Sequence, residues 1–318
     1  MPNINGGNNV VVVGSLSMDL VLRAPRLPGR GETIKGQSFA TFAGGKGNNQ
    51  VLAAARAGAS ASMIGKVGKD AYGDILIETL KANNVSPIGM LQDPDEITGI
   101  ANIWVADNGD NTIIIVPNAN SALTPSEVEG SGLVQKATVV LLQLEINLDT
   151  AISAAKLARA SGAVTILNPA PALANLPAAL LENIDIIIPN ETEAELLTCL
   201  KPDTTDNAIA SARKLMKMGP KTVILTLGDR GALVLQEDKE PAFIEALKVK
   251  VVDTTAAGDA FCGAFAASLA SENNLLRAAR LGCIAGSLAC TKDGAVPSLP
   301  SRQEMLAYEN QPSAQGAI

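Results

Sequence analysis

Hydrophobic positions fall into short β-branched runs and small-residue helical stretches that alternate along most of the chain. Residues 10–14 form the first run, unbroken by polar side chains, which is the pattern of a strand buried on both faces. Residues 18–22 and 32–42 read as extended segments separated by a turn-rich stretch, 25–31. An Ala-rich helix follows at 51–57, then a strand at 60–67 and a helix at 72–82. The alternation breaks at 99–106 and 112–116. These two strands flank Asp107-Asn108-Gly109-Asp110-Asn111, where Asn-Gly favours the tight turn of a hairpin. From Thr138 onward it is regular, with strands at 139–144, 164–167, 184–188 and 223–227. Helices at 148–161 and near 192–198 and 208–218 connect them. A strand-like run at 247–252 then leads into a small-residue helix.

Alternating βα units predict an α/β fold, a three-layer αβα doubly wound and mostly parallel sheet. The early extended pieces lack intervening helices, so they predict a small inserted β-sheet lid from about 15–43 and 98–117. One domain is expected over 1–318, with a disordered tail at 311–318. The apolar fraction of 47% with only 3% aromatic residues implies a core of Ala, Val, Ile and Leu, suited to a helix-covered parallel sheet. A net charge of -7 argues against nucleic acid or an anionic membrane as the main partner. No apolar run reaches the roughly 18 residues of a membrane span, and the polar start is unlike a signal peptide. The expected location is cytoplasmic. Cys199, Cys262, Cys283 and Cys290 form no C-x-x-C pair and read as reduced structural thiols. The chain has no histidine. That removes Ser-His-Asp and Cys-His hydrolases, histidine zinc sites and the usual general base. In an enzyme, carboxylates, backbone amides and a bound cation must then do the chemistry.

The stretch Asp253-Thr254-Thr255-Ala256-Ala257-Gly258-Asp259 opens the small-residue helix. Unpaired amides at such a turn converge beside the positive helix end and suit an anion, including a phosphoryl group in transfer. Asp259 there is either a proton acceptor or a plain helix cap. The Gly44-Gly45-Lys46-Gly47 loop is not a Walker A motif, because Ala40 and Gly47 stand where Gly and Ser or Thr are required. It does allow close backbone approach to a hydroxylated ligand at a helix start. No G-x-G-x-x-G follows the first strand, which disfavours a dinucleotide dehydrogenase. Asp19 and Glu145 follow strands, where ligands gather in open α/β sheets, and each is equally a solvated loop acid. Asn190 to Glu193 opens a helix as a cap or as a ligand site. Thr226-Leu227-Gly228-Asp229-Arg230-Gly231 is a phosphate loop or a simple hairpin.

Taken in order, these motifs resemble the ribokinase-like family of carbohydrate kinases from Val10 to about Leu306. Further matching segments are 27–33, 67–73, Gln143-Leu144-Glu145 and Asn168-Pro169-Ala170-Pro171. The resemblance implies ATP-dependent phosphorylation of D-ribose at its 5-hydroxyl. Kinases for 2-deoxyribose, fructose or adenosine, and a catalytically silent sugar-binding relative, are the alternatives. It implies Asp259 as base and the amides of Ala256, Ala257, Gly258 and Asp259 as anion hole. Ser17, Met18, Asp19, Gly45, Lys46, Gly47, Asn48, Asn49 and Glu145 would bind sugar. Asn190, Thr226 to Gly231, Gly258, Asp259 and Cys283 would bind ATP, with Glu193 acting indirectly on Mg2+. Asp253, Thr255, Ala289, Lys292, Gly294 and Ser298 would surround an activating K+, several through carbonyls alone. A homodimer through the lid is also implied. The chain departs from the family pattern at Ser17, Asn118, Ala256 and Cys283.

Overall fold

In the computed structural model, which describes residues 7–309, the first strand β1 (Asn9–Val13) is an inner strand of a nine-stranded sheet, third from one edge. The chain then leaves this sheet for β2 (Ser17–Ala24) and β3 (Ser38–Gly44) and returns through helix α1 (Lys46–Arg56) to β4 (Ser60–Gly68). Helix α2 (Ala71–Ala82) and β5 (Ser86–Asp93) complete that wing. The hairpin β6 (Gly99–Ala106) and β7 (Asn111–Val116) joins β2 and β3 in a separate four-stranded sheet, order β3-β2-β6-β7. Its β2–β6 pair is parallel and its outer pairs antiparallel.

The second wing runs through α3 (Pro125–Gly130), β8 (Val139–Leu142), α4 (Leu148–Ala160), β9 (Val164–Leu167), α5 (Ala178–Leu181) and β10 (Ile186–Ile187). It continues through α6 (Glu191–Thr198), α7 (Thr205–Met216), β11 (Thr222–Thr226), β12 (Ala232–Gln236) and β13 (Ala242–Ile244). Helices α8 (Ala257–Glu272), α9 (Leu275–Ala289) and α10 (Arg302–Glu309) follow. The sheet order is β13-β12-β11-β10-β9-β8-β1-β4-β5, parallel except where β12 runs antiparallel to both β11 and β13. Chain order reverses direction between β1 and β8, so the crevice beyond their carboxyl ends is the topological switch point where such sheets bind ligands.

Two hydrophobic layers sandwich the sheet, and β1 shows why its four valines are consecutive. Val10 and Val12 pack toward α1, α8 and α9, while Val11 and Val13 pack toward α4, α6 and α7. Helix α8 is apolar all round and buried from Asp259 to Ala270. Gly263 lets it lie against α1: a Cβ there would stand 2.4 Å from the Gln50 carbonyl oxygen and 2.5 Å from the Ala53 Cβ. This close crossing carries the start of α8 over the start of α1.

The expected strand at 247–252 does not form. β13 has already closed that edge against β12, and the following chain instead donates from Val252 and Asp253 N–H to the Cys290 carbonyl. Val251 and Val252 stay more than half exposed. Of the extended segment at 32–42 only the part from Ser38 is strand. The expected tail at 311–318 lies outside the described residues.

Candidate active site

The loops after β1, β8, β9, β10 and β11 all lie at the carboxyl ends of the parallel strands, and Ser15, Glu145 and Asn168 reach the start of α1 there. The start of α1 is seated by glycines. Gly45 has φ 91°, and a Cβ on it would lie 2.9 Å from the Leu16 Cα and Ser17 N; one on Gly47 would lie 2.6 Å from Ser15 N. Asn48 N–H donates to the Ser15 carbonyl at 2.9 Å, locking helix to loop. No acidic residue lies in the first turn of α1. Glu145 supplies that charge from after β8: its Oε2 accepts from Lys46 N–H at 3.1 Å and from the Ser15 hydroxyl at 2.5 Å. On the other side of the loop, Asn120 clasps Leu16, accepting from its N–H at 2.9 Å and donating to its carbonyl at 2.7 Å.

Asp19 projects from β2 against Gly44, where any Cβ would fall 2.4 Å from its carboxylate oxygens. Burial, then the nearby Glu145 and Asp259, push its pKa up to about 7, with Lys46 opposing. Burial alone would pull the Lys46 ammonium down, but Asp259, Glu145 and Glu193 hold it above its ordinary value. Four carboxylates thus surround one ammonium.

Asp259 sits in the first turn of α8, 7% exposed. Its Oδ2 accepts from Asn49 Nδ2 at 3.0 Å and its Oδ1 from Gln50 Nε2 at 2.9 Å. Burial raises its pKa and Glu145 adds to this, while Lys46, Asn49 and Gln50 draw it back. The helix is capped by Ala256 at φ 58°, ψ 10°, with no side-chain cap. Ala257 N–H is spent on the Thr254 carbonyl at 3.2 Å, so the expected four-amide hole narrows. Gly258 and Asp259, at the second and third helical positions, have no helical carbonyl to bond and face outward from the α8 start.

The remaining expected residues divide clearly. Ser17 is buried beside Gly45, Met18 is 2% exposed in the core, and Asn48 is fully enclosed with its Oδ1 unpaired. Asn190 and Glu193 form a reciprocal capping box on α6, and burial raises Glu193 despite the Asn190 backbone bond. The segment 226–231 is the turn between antiparallel β11 and β12, closed by Leu227 N–H on the Gly231 carbonyl at 2.8 Å. Within it Gly228, Asp229 and Arg230 are exposed, but the Arg230 guanidinium is held by Glu191 and by the Pro202 carbonyl at 2.7 Å. Cys283 is buried on α9 near the Ile244 carbonyl, and burial pushes its thiol up to about 12.

Behind α8, Asp253 organises a loop of oxygen donors. Its Oδ1 accepts from Thr255 N–H at 2.9 Å and Thr255 Oγ1 at 2.7 Å, and its Oδ2 from Gly294 N–H at 3.0 Å. Ala289 lies nearby, its carbonyl 3.4 Å from Lys292 N, while the Lys292 ammonium turns away to Glu304. Ser298 is buried, its hydroxyl donating to Ala295. Asn118, a departure from the family pattern, adopts φ 47° and donates to the Thr98 carbonyl at 3.1 Å, a backbone geometry asparagine tolerates. Sequence reading stopped the α1 motif at Asn49 and missed Gln50. It also passed over Asn120. Neither carries a local signal, because both act through long-range contacts.

Comparison with known proteins gives one consistent picture. The profile described as pfkB family carbohydrate kinase matches residues 8–302. A ribokinase of Staphylococcus aureus (strain COL) is 40% identical over 301 residues, covering 94% of this chain and 98% of that protein. A deoxyribokinase of Salmonella typhi is 34% identical with the same coverage. Among solved structures, the Arabidopsis thaliana ribokinase complexed with ribose and ATP is similar with TM-score 0.89 and 33% identity, over 96% of this chain and 100% of that one.

Proposed function

Because the chain belongs to the pfkB family of carbohydrate kinases, we propose that it transfers the γ-phosphoryl group of ATP to the 5-hydroxyl of D-ribose, with Asp259 as the base. The observation that carries this reading is the placement of Asp259: a buried carboxylate, gripped by Asn49 and Gln50, beside the free amides of the α8 start. The hydroxyl oxygen bonds to the γ-phosphorus as its proton passes to Asp259, and the bond from that phosphorus to the β,γ-bridging oxygen breaks to release ADP. The amides of Gly258 and Asp259 and the α8 dipole stabilise the charge on the phosphoryl oxygens.

Sugar recognition falls to Asp19, Lys46 and the Gly45 backbone. An ionised Asp19 accepts hydrogen bonds from two neighbouring hydroxyls of ribose, and 2-deoxyribose offers one fewer hydroxyl. The turn at 226–231 and the Asn190 end of α6 lie where the nucleotide phosphates run. Magnesium suits this arrangement as an ion carried on those phosphates: among the described residues no group of three His, Cys, Asp or Glu is disposed to hold a metal ion, and both Glu193 oxygens serve the capping box. When bound it neutralises phosphate charge. Potassium suits the loop pinned by Asp253, whose oxygen donors include Thr255, Ala289 and Gly294. Ionised Asp253, its pKa lowered against the cost of burial by Thr255 and Gly294, keeps that loop in shape.

The four-stranded sheet acts in this reading as a lid and as the contact of a homodimer. Phe39, Ile113, Ile114 and Ile115 are each more than half exposed on it, and a thin sheet with apolar surface requires cover. Light scattering at micromolar concentration reads a dimer if so; a fully active monomer refutes it. A coupled assay of ADP release over D-ribose, 2-deoxyribose, fructose and adenosine tests the substrate, and the highest kcat/KM falls to ribose. In the same assay Asp259→Asn loses about a hundred- to ten-thousand-fold in turnover. A loss of only a few-fold, with sugar and ATP bound normally, removes the base assignment.

A further inference from the structure

Gln50 is fully buried one residue beyond the glycine motif, and every polar atom of its side chain is committed. Its Oε1 accepts from Gln143 Nε2 at 2.6 Å. Its Nε2 donates to both Asn168 Oδ1 at 3.0 Å and Asp259 Oδ1 at 2.9 Å. The direction of this amide is set from outside. Asn168 donates its own Nδ2 to the Ile188 carbonyl at 3.1 Å, so it must present oxygen to Gln50. Gln143, also fully buried, presents an N–H from the other side, while its oxygen rests against Gly14 and finds no donor. Turning Gln50 over would set oxygen against oxygen at Asn168 and Asp259, and N–H against N–H at Gln143. Such reversals in a buried network are heavily disfavoured.

We propose that Gln50 is a positioning residue for phosphoryl transfer: it fixes the Asp259 carboxylate through a donor whose direction Gln143 and Asn168 dictate. The inference rests on Asp259 being the base, and it accounts for how a carboxylate so deeply enclosed stays available to accept a proton. Asp259 is faced by Lys46 and Asn49 from α1, Glu145 from the loop after β8, Glu193 from α6, Asp19 from β2 and Cys262 on its own helix. The carboxylates among these favour protonation of Asp259. Lys46, Asn49 and Gln50 oppose it, and Gln50 does so without contact with the sugar or nucleotide pocket. Its loss therefore alters proton acceptance while leaving substrate contacts in place.

The experiment is single-turnover phosphoryl transfer from magnesium-ATP to the sugar, followed from pH 5 to 9, for the full chain and for Gln50→Met, Gln50→Glu and Asp259→Asn. Gln50→Met keeps the volume but removes the donor. Losing one hydrogen bond to a charged group moves the acid limb of the rate upward by about one to two pH units. Below that limb the rate accordingly falls about ten-fold or more, and it recovers at high pH, with both KM values within three-fold of the parent. Gln50→Glu preserves the shape should the methionine variant fail to melt cooperatively. It sets a second carboxyl against Asp259 and moves the limb further still. A Gln50 variant whose limb stays put, or whose rate falls equally at every pH, overturns the inference while an inactive Asp259→Asn leaves the base assignment standing. An active Asp259→Asn overturns both.

Discussion

Replacing Asp19 by Asn should stabilise the unliganded protein while impairing it, and the gain should grow with pH. The carboxyl of Asp19 is lifted from 3.8 to about 7, first by burial and then by Glu145 and Asp259. A raised folded-state pKa means that the stability associated with the protonated form is fully present below pH 3.8. It is lost as the pH climbs through about 7 and is flat beyond. At about 1.4 kcal/mol for each pH unit of that gap, ionised Asp19 costs the empty fold on the order of 4 kcal/mol above pH 7. Asparagine fits the space against Gly44 and carries no charge, so the variant gains on the parent by roughly 2–3 kcal/mol between pH 5 and pH 8. For a chain of this length that is a relative rise in Tm of about 4 °C. Thermal unfolding of both proteins at pH 5, 6, 7 and 8 without sugar measures it, with sugar affinity followed by calorimetry at pH 8. A stability difference that stays constant across that range refutes the electrostatic reasoning. An unchanged ribose affinity moves Asp19 out of the pocket.

Ala256→Gly relieves a left-handed alanine, worth about 1–2 kcal/mol, against an unfolded-state entropy cost of about 0.4–1 kcal/mol. The unfolding free energy from denaturant titration should change by no more than about 1.6 kcal/mol with kcat retained, and a large loss of kcat places the methyl group in the chemistry. Gly263→Ala pushes α8 off α1, because the added carbon meets the Gln50 carbonyl; urea unfolding should report a loss of about 1–3 kcal/mol and the assay a fall in kcat. A neutral result there would show that the crossing does not set the Asp259 position. Exchange of potassium for a bulky organic cation at constant ionic strength should lower kcat by about ten-fold or more, since donors aimed in advance at the phosphoryl group are worth a few kcal/mol. Equal rates in both salts remove the cation from the mechanism.

Much of the architecture is legible in local pattern. The valine run of β1 announces a strand covered on both faces, and the βα alternation from Thr138 matches β8 through β11. Patterns fail where neighbours decide. The apolar run at 247–252 has strand composition, but its N–H groups bond the end of α9 because the sheet edge is already taken by β13. Strand β5 carries Pro87 and Gly89 and sits at the opposite edge, where a missing ladder donor is tolerated, so it escapes notice. In the site, the glycines and acids stand out because each must satisfy a local geometry. Gln50 does not, since its meaning comes from Asp259, 209 residues away, laid over it by the α1–α8 crossing.

The absence of histidine makes that long-range arrangement necessary. An imidazole titrates near neutrality with little help, whereas a carboxylate as enclosed as Asp259 would hold its proton too firmly to act as base. Surrounding it with further carboxylates makes matters worse, and Asp19, Glu145 and Glu193 are all close. One ammonium, Lys46, and two side-chain amides, Asn49 and Gln50, supply the compensation, and all three come from consecutive turns at the start of one helix. The glycines at 45 and 47 are what allow that helix start to press against the loop after β1. In the proposed mechanism the glycine motif therefore serves the base as much as the sugar: it fixes the donors that hold the buried Asp259 carboxylate.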